Sequence, residues 1–100
     1  PHVLVPSHGV YVTRVCLPGG ESYAAVTNVG TRPTLDNGTD VTVEACILDF
    51  NGDLYGQTLR VEFYRHLRDE MRFDSLDALR ERIAADAETT RRYFAEHAVL

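Results

Sequence analysis

Glu44 is a lone carboxylate in the apolar run Val41-Thr42-Val43-Glu44-Ala45-Cys46-Ile47-Leu48-Asp49-Phe50. The run is rich in β-branched residues and bounded by turn residues, so it reads as a strand. A charge inside it is costly unless it is paired or put to use. Glu44 therefore faces water from a half-exposed strand, pairs with an arginine, or is catalytic, and position alone favours the first two. Arg68 lies in Leu67-Arg68-Asp69-Glu70, just beyond the predicted fourth strand. Its guanidinium suits bidentate contacts to oxygen, and from position it reads as a surface arginine paired with Asp69 or Glu70. Cys16 and Cys46 are too few for a disulfide scaffold and have no paired Cys/His spacing for zinc. They read as buried free thiols of a reducing cytoplasm. His8, His66 and His97 show no metal-ligand spacing, and together with His2 they read as structural or exposed.

The elements that must position these groups are short strands followed by one helix. Val10 to Leu17 is a strand ended by Pro18-Gly19-Gly20, and Ser22 to Val29 is the next, so the two form an antiparallel hairpin. Gly30 to Asp40 reads as a polar loop, with Asn28 at the strand end before it, where an amide caps the turn. Val41 to Phe50 is the third strand. Asn51-Gly52 is the strongest short hairpin signal in the chain. Thr58 to His66 alternates, with Leu59, Val61 and Phe63 on one face and Arg60, Glu62 and Tyr64 on the other, which predicts a half-buried strand. The period changes at Phe73. Asp74 or Ser75 can cap a helix, and Asp77 places a favourable charge in its first turn. Leu76, Leu79, Ile83, Ala87 and Phe94 recur at helical spacing, while Arg80, Glu81, Arg82, Asp86 and Glu88 read as the solvated remainder. Phe73 is spaced to make a staple-like contact with Leu76.

One hundred residues make one domain with a single core. A hydrophobic fraction of 44% and a charged fraction of 25% are those of an ordinary soluble protein. No apolar stretch reaches membrane-spanning length. Pro1-His2-Val3-Leu4-Val5-Pro6 is not a secretory signal and lacks an initiator Met, so the chain is expected to begin inside a longer polypeptide. A net charge of −5 argues against a broad electrostatic hold on nucleic acid, which needs clustered Lys and Arg. A nucleotide is compatible with it, because a divalent cation and backbone amides can hold a polyphosphate on an acidic protein.

Several segments, taken in order, resemble the riboflavin kinase module of bacterial bifunctional FAD synthetases. They are Gly9-Val10-Tyr11, Asn28-Val29-Gly30-Thr31-Arg32-Pro33-Thr34, Val43-Glu44 with Leu48-Asp49-Phe50, Gly52-Asp53-Leu54-Tyr55-Gly56, Val61-Glu62-Phe63, Leu67-Arg68-Asp69-Glu70 and Phe73-Asp74-Ser75-Leu76. The resemblance implies a mainly β fold, a small antiparallel Greek-key barrel with a C-terminal helix. Four strands are few for a closed barrel, and a further N-terminal strand is expected to complete it. It also implies transfer of the ATP γ-phosphoryl group to the terminal ribityl hydroxyl of riboflavin, giving FMN and ADP in FAD biosynthesis, in the cytoplasm. Glu44 matches the family's catalytic glutamate, the general base on that hydroxyl. Arg68 falls where the family has a mobile flap and is a candidate to hold flavin or phosphate. Phe73 is a candidate for the flavin edge, although the staple accounts for it better. Tyr55 is a candidate to border the adenine, against the competing account of a core tyrosine with a bonded hydroxyl. Arg32-Pro33-Thr34 is either a loop near the substrate or an ordinary polar loop.

The sequence departs from the family at one place. The Pro-Thr-Ala-Asn element that binds Mg²⁺, and the glycine-rich stretch that covers ATP, normally lie upstream of Gly9-Val10-Tyr11 and do not occur here. The metal ligands, and a nucleotidyltransferase domain, are expected upstream, and the 100 residues alone are expected to have weak or no kinase activity. The competing reading is a barrel that binds flavin or acts as a scaffold without catalysis.

Overall fold

The computed structural model describes residues 7–33, 35–36, 38–52 and 56–97. Its elements are β1 (Gly9–Cys16), β2 (Ser22–Pro33), β3 (Thr39–Ile47), β4 (Arg60–Arg68) and α1 (Leu76–His97). The strands form one antiparallel sheet in the order β3-β2-β1-β4. Three successive neighbours followed by a fourth strand that returns beside the first is the Greek-key arrangement. The turn at Pro18-Gly19-Gly20 joins β1 to β2 as expected, with Leu17 N–H donating to Glu21 O at 2.8 Å and Gly20 N–H to Leu17 O at 3.0 Å.

Three expectations change. β2 runs on to Pro33, so the polar segment after Val29 begins as strand. Arg68 is the last residue of β4 and does not lie beyond it. Asn51-Gly52 does not turn β3 into a paired β4, because those strands occupy opposite edges of the sheet. After β3 the chain instead bends at Asp49, in the left-handed region at φ 57°, which an aspartate tolerates better than most residues. Leu48 N–H donates to Ala24 O at 2.9 Å, and Arg91 pairs with Asp49 at 3.1 Å, tying this corner to β2 and to α1.

The core centres on β1. Val10, Tyr11, Val12, Thr13 and Val15 are all buried, so this inner strand is covered on both faces. Each fully buried valine contributes about 1.5–3 kcal/mol. One face carries Tyr11, Thr13 and Val15, opposite Thr27, Ala25 and Tyr23 of β2. There the Tyr11 ring meets Phe63 edge-on at 5.4 Å, and the Thr13 and Thr27 hydroxyls bond at 2.7 Å. The other face carries Val10, Val12 and Arg14, and α1 lies over it, with Phe94 edge-on to Tyr64 at 5.6 Å. The β1–β4 register slips twice, between Val10 and Tyr11 and between Val12 and Thr13. The two slips together restore the alternation, so Arg68 ends up opposite Val10.

Ser75 is the N-cap of α1: its Oγ accepts from Ala78 N–H at 3.1 Å. Of the expected apolar set only Phe94 is buried, and the rest of the buried stripe is Asp86 and Thr90. Leu76 is 68% exposed and Ile83 48%, and Asp86, read as solvated, is buried. Both free cysteines are more open than expected, Cys46 being exposed on the edge strand. No helix among the described residues is long and apolar enough to cross a membrane.

Candidate active site

Four residues, one from each strand, stand in a single row across the sheet. Arg68 of β4 is opposite Val10 of β1, Val10 is opposite Asn28 of β2, and Asn28 is opposite Glu44 of β3. Directly opposed residues of an antiparallel sheet share a face, so all four project to the side on which α1 lies. They form the floor of an open cleft of about 680 Å³. Leu79, Ile83 and Ala87 of α1 supply an apolar wall, and Glu70, Met71 and Phe73 from the β4–α1 connection supply the rim. Leu79, Ile83 and Ala87, missing from the core, are therefore the wall of this cleft, which explains why Ile83 is half-exposed.

Glu44 is exposed, lines the cleft and has no ion-pair or hydrogen-bond partner among the described residues. Of the two ordinary explanations for a strand glutamate, the arginine pair is absent there. The carboxylate is free to accept a proton or a hydrogen bond. Its direction is set by a β-ladder, with Asn28 as the opposite residue.

Arg68 is held differently from either sequence alternative. Its Nε donates to Asp86 Oδ1 at 3.3 Å and to Oδ2 at 3.1 Å, and Nη2 donates to Oδ2 at 2.8 Å. The Arg68 side chain is 19% exposed and that of Asp86 9%. Asp69 takes part only through its backbone carbonyl, which accepts from Nη1 at 3.2 Å. The guanidinium carbon also lies 6.0 Å from the centre of the Phe73 ring, within reach of a cation–π contact. Phe73 thus turns to Arg68 and the cleft, while Leu76, its expected staple partner, is exposed. Glu70 lies against Gly30: a Cβ added there would come within 2.9 Å of Glu70 Oε2. The missing side chain brings a second carboxylate into the cleft beside the row.

Three of the four candidate residues, Glu44, Arg68 and Phe73, come together in this cleft. Tyr55 lies outside the described residues, as do Asp53, Leu54 and Thr34. Among the described residues no group of three His, Cys, Asp or Glu side chains is placed to hold a metal ion. Sequence reasoning missed Asp86 and Asn28. Asp86 was detectable, because the spacing Leu79, Ile83, Asp86, Thr90, Phe94 runs along one helix face. Asn28 lies inside β2 with Glu44 opposite, and is not a turn cap at a strand end.

Known proteins resemble this chain over most of its length. The family described as Flavokinase: Riboflavin kinase matches residues 1–94. The chain is 40% identical over 89 residues to the bifunctional riboflavin kinase/FMN adenylyltransferase of Haemophilus influenzae, covering 89% of this chain and 29% of that protein. It is 44% identical over 87 residues to the protein of the same name from Pseudomonas fluorescens, covering 87% and 28%. The chain thus spans less than a third of the length of these curated relatives. The crystal structure of a macrolide-efflux protein from Streptococcus pneumoniae superposes with a TM-score of 0.81 at 40% identity, over 88% of this chain and 28% of that one. The family match covers both the row that bears Glu44 and the helix that walls the cleft, and the chain belongs to the riboflavin kinase family.

Proposed function

We propose that this cleft takes riboflavin and that the protein phosphorylates it to FMN with ATP, as one step of FAD biosynthesis in the cytoplasm. The observation that carries the reading is the free Glu44 carboxylate on the floor of a cleft with an apolar wall. A planar, largely apolar ring suits Leu79, Ile83 and Ala87, and a few convergent polar groups beside such a wall are what a small-molecule site needs. The polar ribityl chain then runs along the row towards β3.

Glu44 takes the proton of the terminal ribityl hydroxyl as its oxygen attacks the γ-phosphorus. The new O–P bond forms as the bond from the γ-phosphorus to the β–γ bridging oxygen breaks, and ADP leaves. General-base help of this kind contributes about 10²–10⁴-fold, and the rigid ladder keeps the carboxylate aimed. Arg68, fixed by Asp86, presents positive charge at the other end of the row, where it can hold flavin or phosphate oxygen. Phe73 borders the ring, and Tyr55 is proposed at the adenine side. A divalent cation, which we take to be Mg²⁺, offsets phosphate charge in such reactions. The described residues do not form a site for it, and no step above runs through one. The relatives' names pair the kinase with an FMN adenylyltransferase, and the same pairing is proposed here.

The test is to incubate the full-length protein with riboflavin, ATP and Mg²⁺ and to separate the flavins by chromatography. FMN and ADP in equal amounts are expected. Tight riboflavin binding without FMN would replace this reading with that of a flavin-binding scaffold.

A further inference from the structure

Asn28 is out of place by every local rule. It sits inside an inner strand between Thr27 and Val29, both 0% exposed, and asparagine is depleted in strands. Yet Asn28 itself is exposed, on the floor of the cleft, with Val10 opposite it on one side and Glu44 on the other. Opposed residues hold their Cβ atoms about 4.5–5.5 Å apart, so the amide and the carboxylate are immediate neighbours. Even so, neither has a hydrogen-bond partner among the described residues. An amide offers two N–H donors, and an ionised carboxylate only accepts. A hydroxyl oxygen between them can accept from the one and donate to the other.

We propose that Asn28 is a substrate-contacting residue that orients the acceptor hydroxyl: its Nδ2 donates to the oxygen whose own proton points at Glu44. The inference rests on the flavin-kinase reading above and specifies which group sets the direction of the attacking oxygen. It also explains why an amide occupies this strand position, where a β-branched residue would pair better with its neighbours. The hydroxyl enters as acceptor and donor together, and only its proton moves to Glu44 during transfer.

The experiment compares two flavins in the full-length protein. Riboflavin carries the polyol chain, and lumiflavin carries the same ring with a methyl group in its place. Asn28→Ala should weaken riboflavin binding about 3–10-fold, the worth of one neutral hydrogen bond, and leave lumiflavin binding unchanged. Asn28→Asp removes the donor and sets a second negative charge opposite Glu44. The acid limb of its kcat/KM profile should therefore move to higher pH, because a like charge disfavours ionisation. Unchanged melting temperatures exclude a folding defect. If Asn28→Ala weakens both flavins equally, or neither, the inference is overturned. If Glu44→Gln abolishes turnover while both Asn28 variants behave as wild type, the inference alone fails. Should the unaltered protein bind no riboflavin, this inference and the functional reading fall together.

Discussion

Replacing Asp86 with alanine leaves Arg68 as a charged group with no carboxylate beside it. The loss can be worked from the pair itself. Three N–H···O contacts of 2.8–3.3 Å join the two side chains, which are 19% and 9% exposed. Removing one partner of a buried ion pair typically costs about 3–5 kcal/mol. Because Arg68 keeps some contact with water, the lower end applies, about 3 kcal/mol. For a domain of this size each kcal/mol moves the melting temperature by about 4–8 °C, so a fall of about 12–24 °C is expected. Thermal melting and urea unfolding followed by circular dichroism measure it. Arg68→Met combined with Asp86→Leu serves as the control, since replacing both partners by apolar groups is often nearly neutral. An Asp86→Ala loss below about 1 kcal/mol would refute the idea that this pair fixes the helix to the row. So would a double variant as unstable as the single one.

Three further outcomes follow from the same packing. Thr90 Oγ1 is buried without a hydrogen-bond partner among the described residues, so Thr90→Val should stabilise by about 1 kcal/mol in urea unfolding, and a loss of that size would show that the hydroxyl is satisfied. Gly9 has φ 148°, and a Cβ there would lie 2.5 Å from His66 Nε2 and 3.0 Å from Arg68 O; Gly9→Ala should cost about 1–3 kcal/mol, and unchanged stability would contradict that fit. The Arg14 hydrogen bond to Glu62, with a second from the Tyr64 hydroxyl, holds the Glu62 carboxyl below its ordinary range. Folding thus favours ionised Glu62, whose contribution is complete above the ordinary glutamate value and fades as pH falls through the lowered one. The stability gap between wild type and Glu62→Gln should therefore shrink on acidification, and a gap independent of pH would contradict the assignment.

What the sequence made legible was whatever rests on local chemistry. Pro18-Gly19-Gly20 carries residues that favour a turn by their own backbone preferences, and Ser75 caps its helix through a hydrogen bond three residues on. Alternation placed Glu62 and Tyr64 on one face and Phe63 on the other, because the period of a strand is fixed. Asn51-Gly52 misled because a turn preference says nothing about which distant edge the next strand will find. Here the vacant side of β1 lay across the sheet, beyond β2. Arg68 was matched to Asp69 or Glu70 by nearness in sequence, but Asp69, the next residue on an extended chain, points apart, and the Glu70 carboxylate lies against Gly30. Its partner is 18 residues away on a helix. Ile83 and Leu79 carried the right period for a buried stripe, and periodicity does not distinguish a core from the wall of a cleft. The row from Arg68 to Glu44 depends on three registers at once, and only the assembled sheet shows it.

The Glu44 carboxylate, free among the described residues, carries the proposed chemistry. Its most direct test measures riboflavin affinity and the rate of phosphoryl transfer side by side for Glu44→Gln. Because Glu44 is exposed and has no partner among the described residues, the variant should melt and bind riboflavin as the wild type does, while transfer slows by about 10²–10⁴-fold. Transfer at the wild-type rate would contradict the account.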